Sequence, residues 1–143
     1  MIDRITSNVS IGEKQDALNE RLLKQLHINY ILNVNEVDSS EESRITWKLN
    51  IQYLWCPIPS EKYTSMQTLK EDLNAVSNIL EDLAKTKSNN ILIHCCSGID
   101  RAPFIVALYL SRNKQIEIGE AYQIIKQKRK HVMEHYEWVL NDC

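Results

Sequence analysis

The stretch Ile91-Leu92-Ile93-His94-Cys95-Cys96-Ser97-Gly98-Ile99-Asp100-Arg101-Ala102-Pro103 decides the fold. Three consecutive large aliphatic residues form a short run with no polar alternation, which predicts a strand buried on both faces. Residues 102–112 are apolar and predict a helix, with Pro103 tolerated in its first turn. Between the two lies a loop with a cysteine at its start and, six positions later, an arginine at its end. Successive backbone N–H groups in such a turn can form an anion-binding nest, and the following helix adds its positive end. Gly98 supplies the torsional freedom that tight curvature needs. Arg101 presents a planar fork to two oxygens of a phosphate. A field of this sign favours the thiolate of Cys95, the nucleophilic form of sulfur.

The rest of the chain alternates predicted helices and strands. Residues 5–11 predict an edge strand or hairpin. Residues 16–26 predict a helix with Leu18, Leu22, Leu23 and Leu26 on one face, and residues 29–34 a short strand. Residues 36–42 predict an acidic loop, and residues 51–56 a strand ended by Pro57 and Pro59. From Thr64 to Thr86, Met66, Leu69, Leu73, Val76, Leu80 and Leu83 recur at helical spacing. Further helices are predicted over 117–129 and 136–140. The class is therefore α/β: one domain spanning 1–143, with a central, mostly parallel sheet flanked by helices. The ligand site is expected at the carboxyl end of the strand beginning at Ile91, where open α/β sheets place their ligands.

Composition narrows the classes. The chain has 143 residues, 43% apolar and 25% charged, with only 3 Gly and 3 Pro, which fits one soluble globular domain. The net charge of -2 gives no electrostatic reason to expect nucleic-acid binding. No apolar run reaches membrane-spanning length, and the first residues predict no secretory signal. Of the four cysteines, Cys56, Cys95, Cys96 and Cys143, the adjacent Cys95–Cys96 is a poor disulfide pair and a poor chelate. A reducing, cytoplasmic setting with one reactive thiol is expected. Cys96 and Cys56 are small buried residues in one reading and a protective redox pair for Cys95 in another. His131-Val132-Met133-Glu134-His135 fits an inverted zinc-protease pattern, in which both histidines share a helix face. Its neighbours Lys128, Arg129 and Lys130 oppose a cation, so chance is preferred, and these basic residues read as a solvated helix end.

The segment from His94-Cys95 to Arg101 resembles the His-Cys-x5-Arg signature of cysteine-dependent protein tyrosine phosphatases, in particular their dual-specificity branch. The resemblance runs over most of the chain. Residues 8–12 look like the family's opening strand, 31–34 like its second, 52–59 like the strand leading to its acid loop, and 120–129 like its penultimate helix. The resemblance implies phosphomonoester hydrolysis through a cysteinyl-phosphate intermediate, with no metal or other cofactor. Cys95 would be the nucleophile. Cys96, Ser97, Gly98, Ile99, Asp100 and Arg101 would bind phosphate, and His94 would support the loop. The partner would be a phosphorylated protein, with phosphotyrosine first. Phosphatases of a phosphoinositide, glucan or RNA 5′ end, and a pseudophosphatase that binds phosphorylated partners, are the alternatives.

Two positions depart from the family pattern. Ser60 stands where the family carries its acidic Asp, and a hydroxyl is too weak an acid for that work. Glu61 beside it is either a substitute acid or a solvated loop carboxylate. Asp100 is a second candidate, because Gly-x-Asp-Arg resembles myotubularin-type and Sac-type phosphatases. A phosphate dianion in the pocket would favour its protonated form. Ala102 replaces the usual Ser or Thr whose hydroxyl helps the thiolate leave, so slow breakdown of the intermediate is expected. Trp55 and Tyr63 are candidates for the rim of the cleft.

Overall fold

A computed structural model describes residues 1–59 and 65–134. Five strands form one sheet: β1 (Asp3–Arg4), β2 (Val9–Gly12), β3 (Tyr30–Asn33), β4 (Gln52–Trp55) and β5 (Ile91–His94). Their spatial order is β1-β2-β5-β3-β4. Only the β1–β2 pair is antiparallel, and β5 lies between parallel neighbours on both sides. The parallel α/β architecture matches the alternating pattern of the sequence. The hairpin expected over residues 5–11 is present, but its second strand is an interior strand, because the two-residue β1 covers its outer edge.

The buried strand residues alternate between two apolar layers. Ile91 and Ile93 of β5, and Leu32 of β3, join the layer beneath α3 (Met66–Lys85), α4 (Arg101–Lys114) and α5 (Ile118–Lys128). Leu92 and Ile31 point the other way, toward Ala17, Leu23 and Ile45. This is the period-2 rule with both faces covered, and it explains why the strand sequences read as unbroken apolar runs. Residues 102–110 of α4 are all buried, so this helix is apolar all round, as a helix enclosed by the sheet, α3 and α5 must be.

The expected helix over 16–26 is divided. A 3₁₀ turn spans Asp16–Leu18, and α1 (Glu20–Gln25) starts afresh at Asn19, whose side chain caps it by accepting from the Leu22 N–H. The acidic loop expected over 36–42 is shorter than that, because α2 (Ser40–Lys48) begins inside it. Ser39 caps α2 by accepting from the Glu42 N–H at 3.1 Å, and Glu42 is fully buried rather than solvated. The short helix expected over 136–140 lies outside the described residues. Among the described residues, no helix is long and apolar enough to cross a membrane.

The loop after β3 is tied back to the sheet. Tyr53 of β4 accepts from Asn33 Nδ2 at 3.0 Å and donates to Asp38 Oδ1 at 2.7 Å. Partial burial, with smaller contributions from its acidic neighbours Asp38 and Glu42, pushes the Tyr53 phenol up to about 12 from 10.0. The unfolded phenol therefore ionises first as pH rises. The stability this gives is complete below pH 10 and is lost as pH climbs through about 12.

Two tests follow from the packing. Phe104→Ala, at a fully buried position, is expected to cost about 3–5 kcal/mol, read as a lowered urea midpoint. Tyr53→Phe is expected to lower the melting temperature at neutral pH yet flatten its decline between pH 10 and 12, measured against the parent protein.

Candidate active site

The carboxyl ends of the parallel strands lie in register. Gly12 of β2, His94 of β5, Asn33 of β3 and Trp55 of β4 form one row across the sheet. The segment from Cys95 to Asp100 emerges above this row at the central strand, and α4 begins at Arg101. Cys95 is buried at the foot of the loop, whereas Cys96 is exposed.

The path of the loop is set by its carbonyl groups. The His94 carbonyl accepts from the Val34 N–H at 2.9 Å, that of Cys95 from His94 Nδ1 at 3.0 Å, and that of Cys96 from the Lys14 N–H at 3.1 Å. Arg129 takes the next two, donating from Nη2 to the Ser97 carbonyl at 3.2 Å and from Nε to that of Gly98 at 2.9 Å. The Ile99 carbonyl accepts from the Met133 N–H at 2.8 Å, and that of Asp100 from the Phe104 N–H at 3.2 Å. Each carbonyl from residue 94 to residue 100 is therefore held by a donor of the surrounding scaffold.

The consequence for the amides is geometric. All peptide bonds of the described residues are trans. In a planar trans peptide the C=O of one residue and the N–H of the next point in opposite directions. Anchoring the carbonyls on the scaffold thus turns the following N–H groups away from it. Among the described residues, the amides of Cys96, Ser97, Gly98 and Ile99 donate to no backbone carbonyl. A row of such donors at a helix N-terminus has the chemistry to bind an oxyanion.

Arg129 is the residue that sequence reasoning missed. It was expected in a solvated basic helix end with Lys128 and Lys130. Both lysines are exposed, but Arg129 is only 9% exposed. Besides the two loop carbonyls, it donates from Nη1 to the Met1 carbonyl at 2.9 Å and to Asp3 Oδ2 at 2.8 Å. The ion pair with Asp3 offsets the cost of burying the guanidinium. The available signal was that Arg129 falls at the end of the amphipathic run 118–128, where a long side chain can turn back under the helix.

Gly98 is required twice. Its φ of +71° is a torsion that L side chains rarely adopt. A Cβ there would also run into the Arg129 guanidinium and come within 2.6 Å of the Gly12 carbonyl.

The acidic residues fall in two places. Glu36, in the loop after β3, accepts from Arg101 Nη2 at 2.6 Å. Asp100 sits at the N-cap position of α4, where its side chain makes no capping bond. The Glu36 carboxylate offsets the charge of Arg101, while one oxygen of the Asp100 carboxyl is buried. Glu61, Ser60 and Tyr63 lie outside the described residues, as do His135 and Cys143. Trp55, at the carboxyl end of β4, is 43% exposed, with its indole N–H donating to the Asn35 carbonyl at 2.9 Å.

Other expectations resolve plainly. Cys56 is half-buried, and burial pushes its thiol up, which makes it slower to react as a thiolate. His131 and Glu134 lie beyond the end of α5, so His131 is not on the helix that a zinc pair would need. Glu134 pairs with Lys126.

Comparison with known proteins agrees with this geometry. The family model described as dual specificity phosphatase, catalytic domain, matches residues 9–140. Human dual specificity protein phosphatase 5 is 30% identical over 126 residues, covering 88% of this chain and 30% of its own length. Human dual specificity protein phosphatase 16 is 25% identical over 142 residues, covering 95% of this chain and 19% of its own. The chain thus spans less than a third of the length of these curated relatives. Among solved structures, the Cydia pomonella PTP-2 phosphatase superposes with a TM-score of 0.81 at 19% identity, over 97% of this chain and 86% of that one. Human DUSP28 gives 0.77 at 16% identity, over 97% and 88%. With the amide-lined loop and the match over residues 9–140 in view, the chain belongs to the family of dual specificity phosphatase catalytic domains.

Proposed function

We propose that the protein hydrolyses phosphomonoesters on proteins, phosphotyrosine first and phosphoserine or phosphothreonine second, through a cysteinyl-phosphate intermediate. The observation that carries this reading is the loop from Cys95 to Arg101. Its carbonyls are taken by the scaffold, and its amides from Cys96 to Ile99 donate to no backbone carbonyl among the described residues. Such an arrangement binds tetrahedral oxyanions without reorganising during the reaction.

In this reading each residue of the loop has a role. Cys95 Sγ attacks phosphorus as the bond from phosphorus to the leaving oxygen breaks. The amides of Cys96, Ser97, Gly98, Ile99 and Asp100, with the Arg101 guanidinium, hold the equatorial oxygens. Asp100 delivers a proton to the leaving oxygen. It then takes one from the water that cleaves the S–P bond, which releases phosphate and restores the thiolate. Glu61 is the other candidate for this carboxyl. His94 supports the loop through the Cys95 carbonyl. Ala102 is fully buried at the start of α4 and brings no hydroxyl to help the thiolate depart.

The charge at the mouth favours a protein substrate over a polyphosphorylated lipid. Glu36 already engages one arm of Arg101, and Asp100, the residue before it, adds a second acidic group to the loop. A ligand with several phosphates would meet both.

Assays on an aryl phosphate and on phosphopeptides test the reading. Parent protein is expected to turn over both, and Cys95→Ser neither. Arg101→Ala is expected to lower kcat roughly 100- to 1000-fold. Asp100→Asn is expected to cost roughly 100-fold or more on a phosphoserine peptide and far less on the aryl ester, whose leaving group needs little protonation. If Glu61→Gln shows this split instead, Glu61 is the acid. Gly98→Ala is expected to weaken vanadate binding at least about tenfold, since it displaces oxyanion donors. Ala102→Ser is expected to raise the steady-state rate that follows the burst; an unchanged rate removes Ala102 from the mechanism. Vanadate binding without turnover of any ester would reassign the protein as a phosphate-binding module.

A further inference from the structure

Glu42 is a buried titratable group that the mechanism above does not use. Glu42, in the first turn of α2, has no exposed surface, and neither does His94. Glu42 Oε1 lies 2.5 Å from His94 Nε2, while His94 Nδ1 lies 3.0 Å from the Cys95 carbonyl oxygen. The other carboxyl oxygen, Oε2, is buried and has no hydrogen-bond partner among the described residues.

Hydrogen accounting fixes the protons of this chain of groups. A carbonyl oxygen only accepts, so Nδ1 must carry a hydrogen. The contact between Nε2 and Oε1 needs a further proton, because a bare ring nitrogen facing a bare carboxylate oxygen would repel it. Whichever atom holds that proton, the pair has no net charge: imidazolium with carboxylate, or imidazole with carboxylic acid. That neutrality lets both groups remain fully buried.

Glu42 also forgoes a local alternative. Ser39 and Glu42 are spaced as a capping box, in which the glutamate would accept from the Ser39 N–H. Ser39 keeps its half of that exchange, but its N–H donates to Asp38 Oδ1 at 2.8 Å instead. The Glu42 carboxyl is thereby released to reach across to β5.

We propose that Glu42 is a positioning residue for the nucleophile, acting through His94 to hold the Cys95 carbonyl and so to aim the Cys96 amide into the pocket. Its carboxyl fixes the ring with a hydrogen on Nδ1, and that hydrogen anchors the first peptide of the loop. The proposal rests on the reading of Cys95 as the attacking group.

The test uses the full chain and three readouts: the ring-nitrogen NMR signals of His94, vanadate affinity, and the rate of Cys95 alkylation by iodoacetamide followed by mass spectrometry. Glu42→Leu keeps the volume and removes the hydrogen bond. It is expected to lower vanadate affinity and change the alkylation rate by roughly 10- to 100-fold, as loss of an orienting partner does elsewhere. Glu42→Gln can donate an amide hydrogen to Nε2 and is expected to restore both to within about threefold, with Nδ1 still protonated. Ordinary packing would not make Gln and Leu differ in this way. Leucine behaving like the parent, or a His94 signal with Nδ1 bare in the parent protein, overturns the proposal. If Glu42→Leu does not fold, the His94 signals of the parent and of Glu42→Gln decide it alone. Alkylation and NMR do not depend on turnover, so loss of the phosphatase reading would show separately, as parent protein inert toward aryl phosphate.

Discussion

The site depends on one constraint: the outward tethering of the backbone carbonyls from His94 to Asp100. A short loop left to itself would satisfy its amides by folding them onto its own carbonyls or onto neighbouring strands. Here the acceptors are already committed elsewhere, and peptide planarity settles where the donors face. The orientation of these amides thus comes from the partners of the carbonyls that precede them. Arg129 contributes most to this, since one side chain secures two consecutive carbonyls at the point where Gly98 turns with a positive φ.

These tethers also explain why both faces of the sheet matter. Lys14 follows β2, Val34 follows β3, Glu42 belongs to α2, and Arg129 and Met133 lie at and beyond the end of α5. They converge on the end of β5 because that strand occupies the middle of a parallel sheet. A central strand has neighbours on two edges and helices on two faces, so its carboxyl end is the place where donors from several elements can meet.

Much of this was legible from residues alone. The apolar run at Ile91 identified the central strand, the heptad-like spacing from Met66 to Leu83 gave the long helix, and the Cys95-to-Arg101 interval marked the loop between β5 and α4. What escaped notice shares a physical cause. Arg129 and Glu42 are charged residues in polar surroundings, and composition assigns such residues to solvent. Their burial is decided by partners more than thirty residues away in sequence, Gly98 and Asp3 for one, His94 for the other. Local pattern carries no information about such pairings. The start of α2 is different, for the Ser39-to-Glu42 capping spacing is present in the sequence, a local signal that the reading of 36–42 as an acidic loop did not use.

The contact between Met133 and the Ile99 carbonyl has a bearing on biosynthesis. A nascent chain emerges amino end first, so Cys95 leaves the ribosome well before Arg129 and Met133 do. Until those later residues arrive, the Cys95 sulfur has neighbours but the loop around it lacks three of its carbonyl tethers. The loop is therefore completed only near the end of translation of this segment, and a chain halted before residue 129 would carry Cys95 without the residues that shape its surroundings.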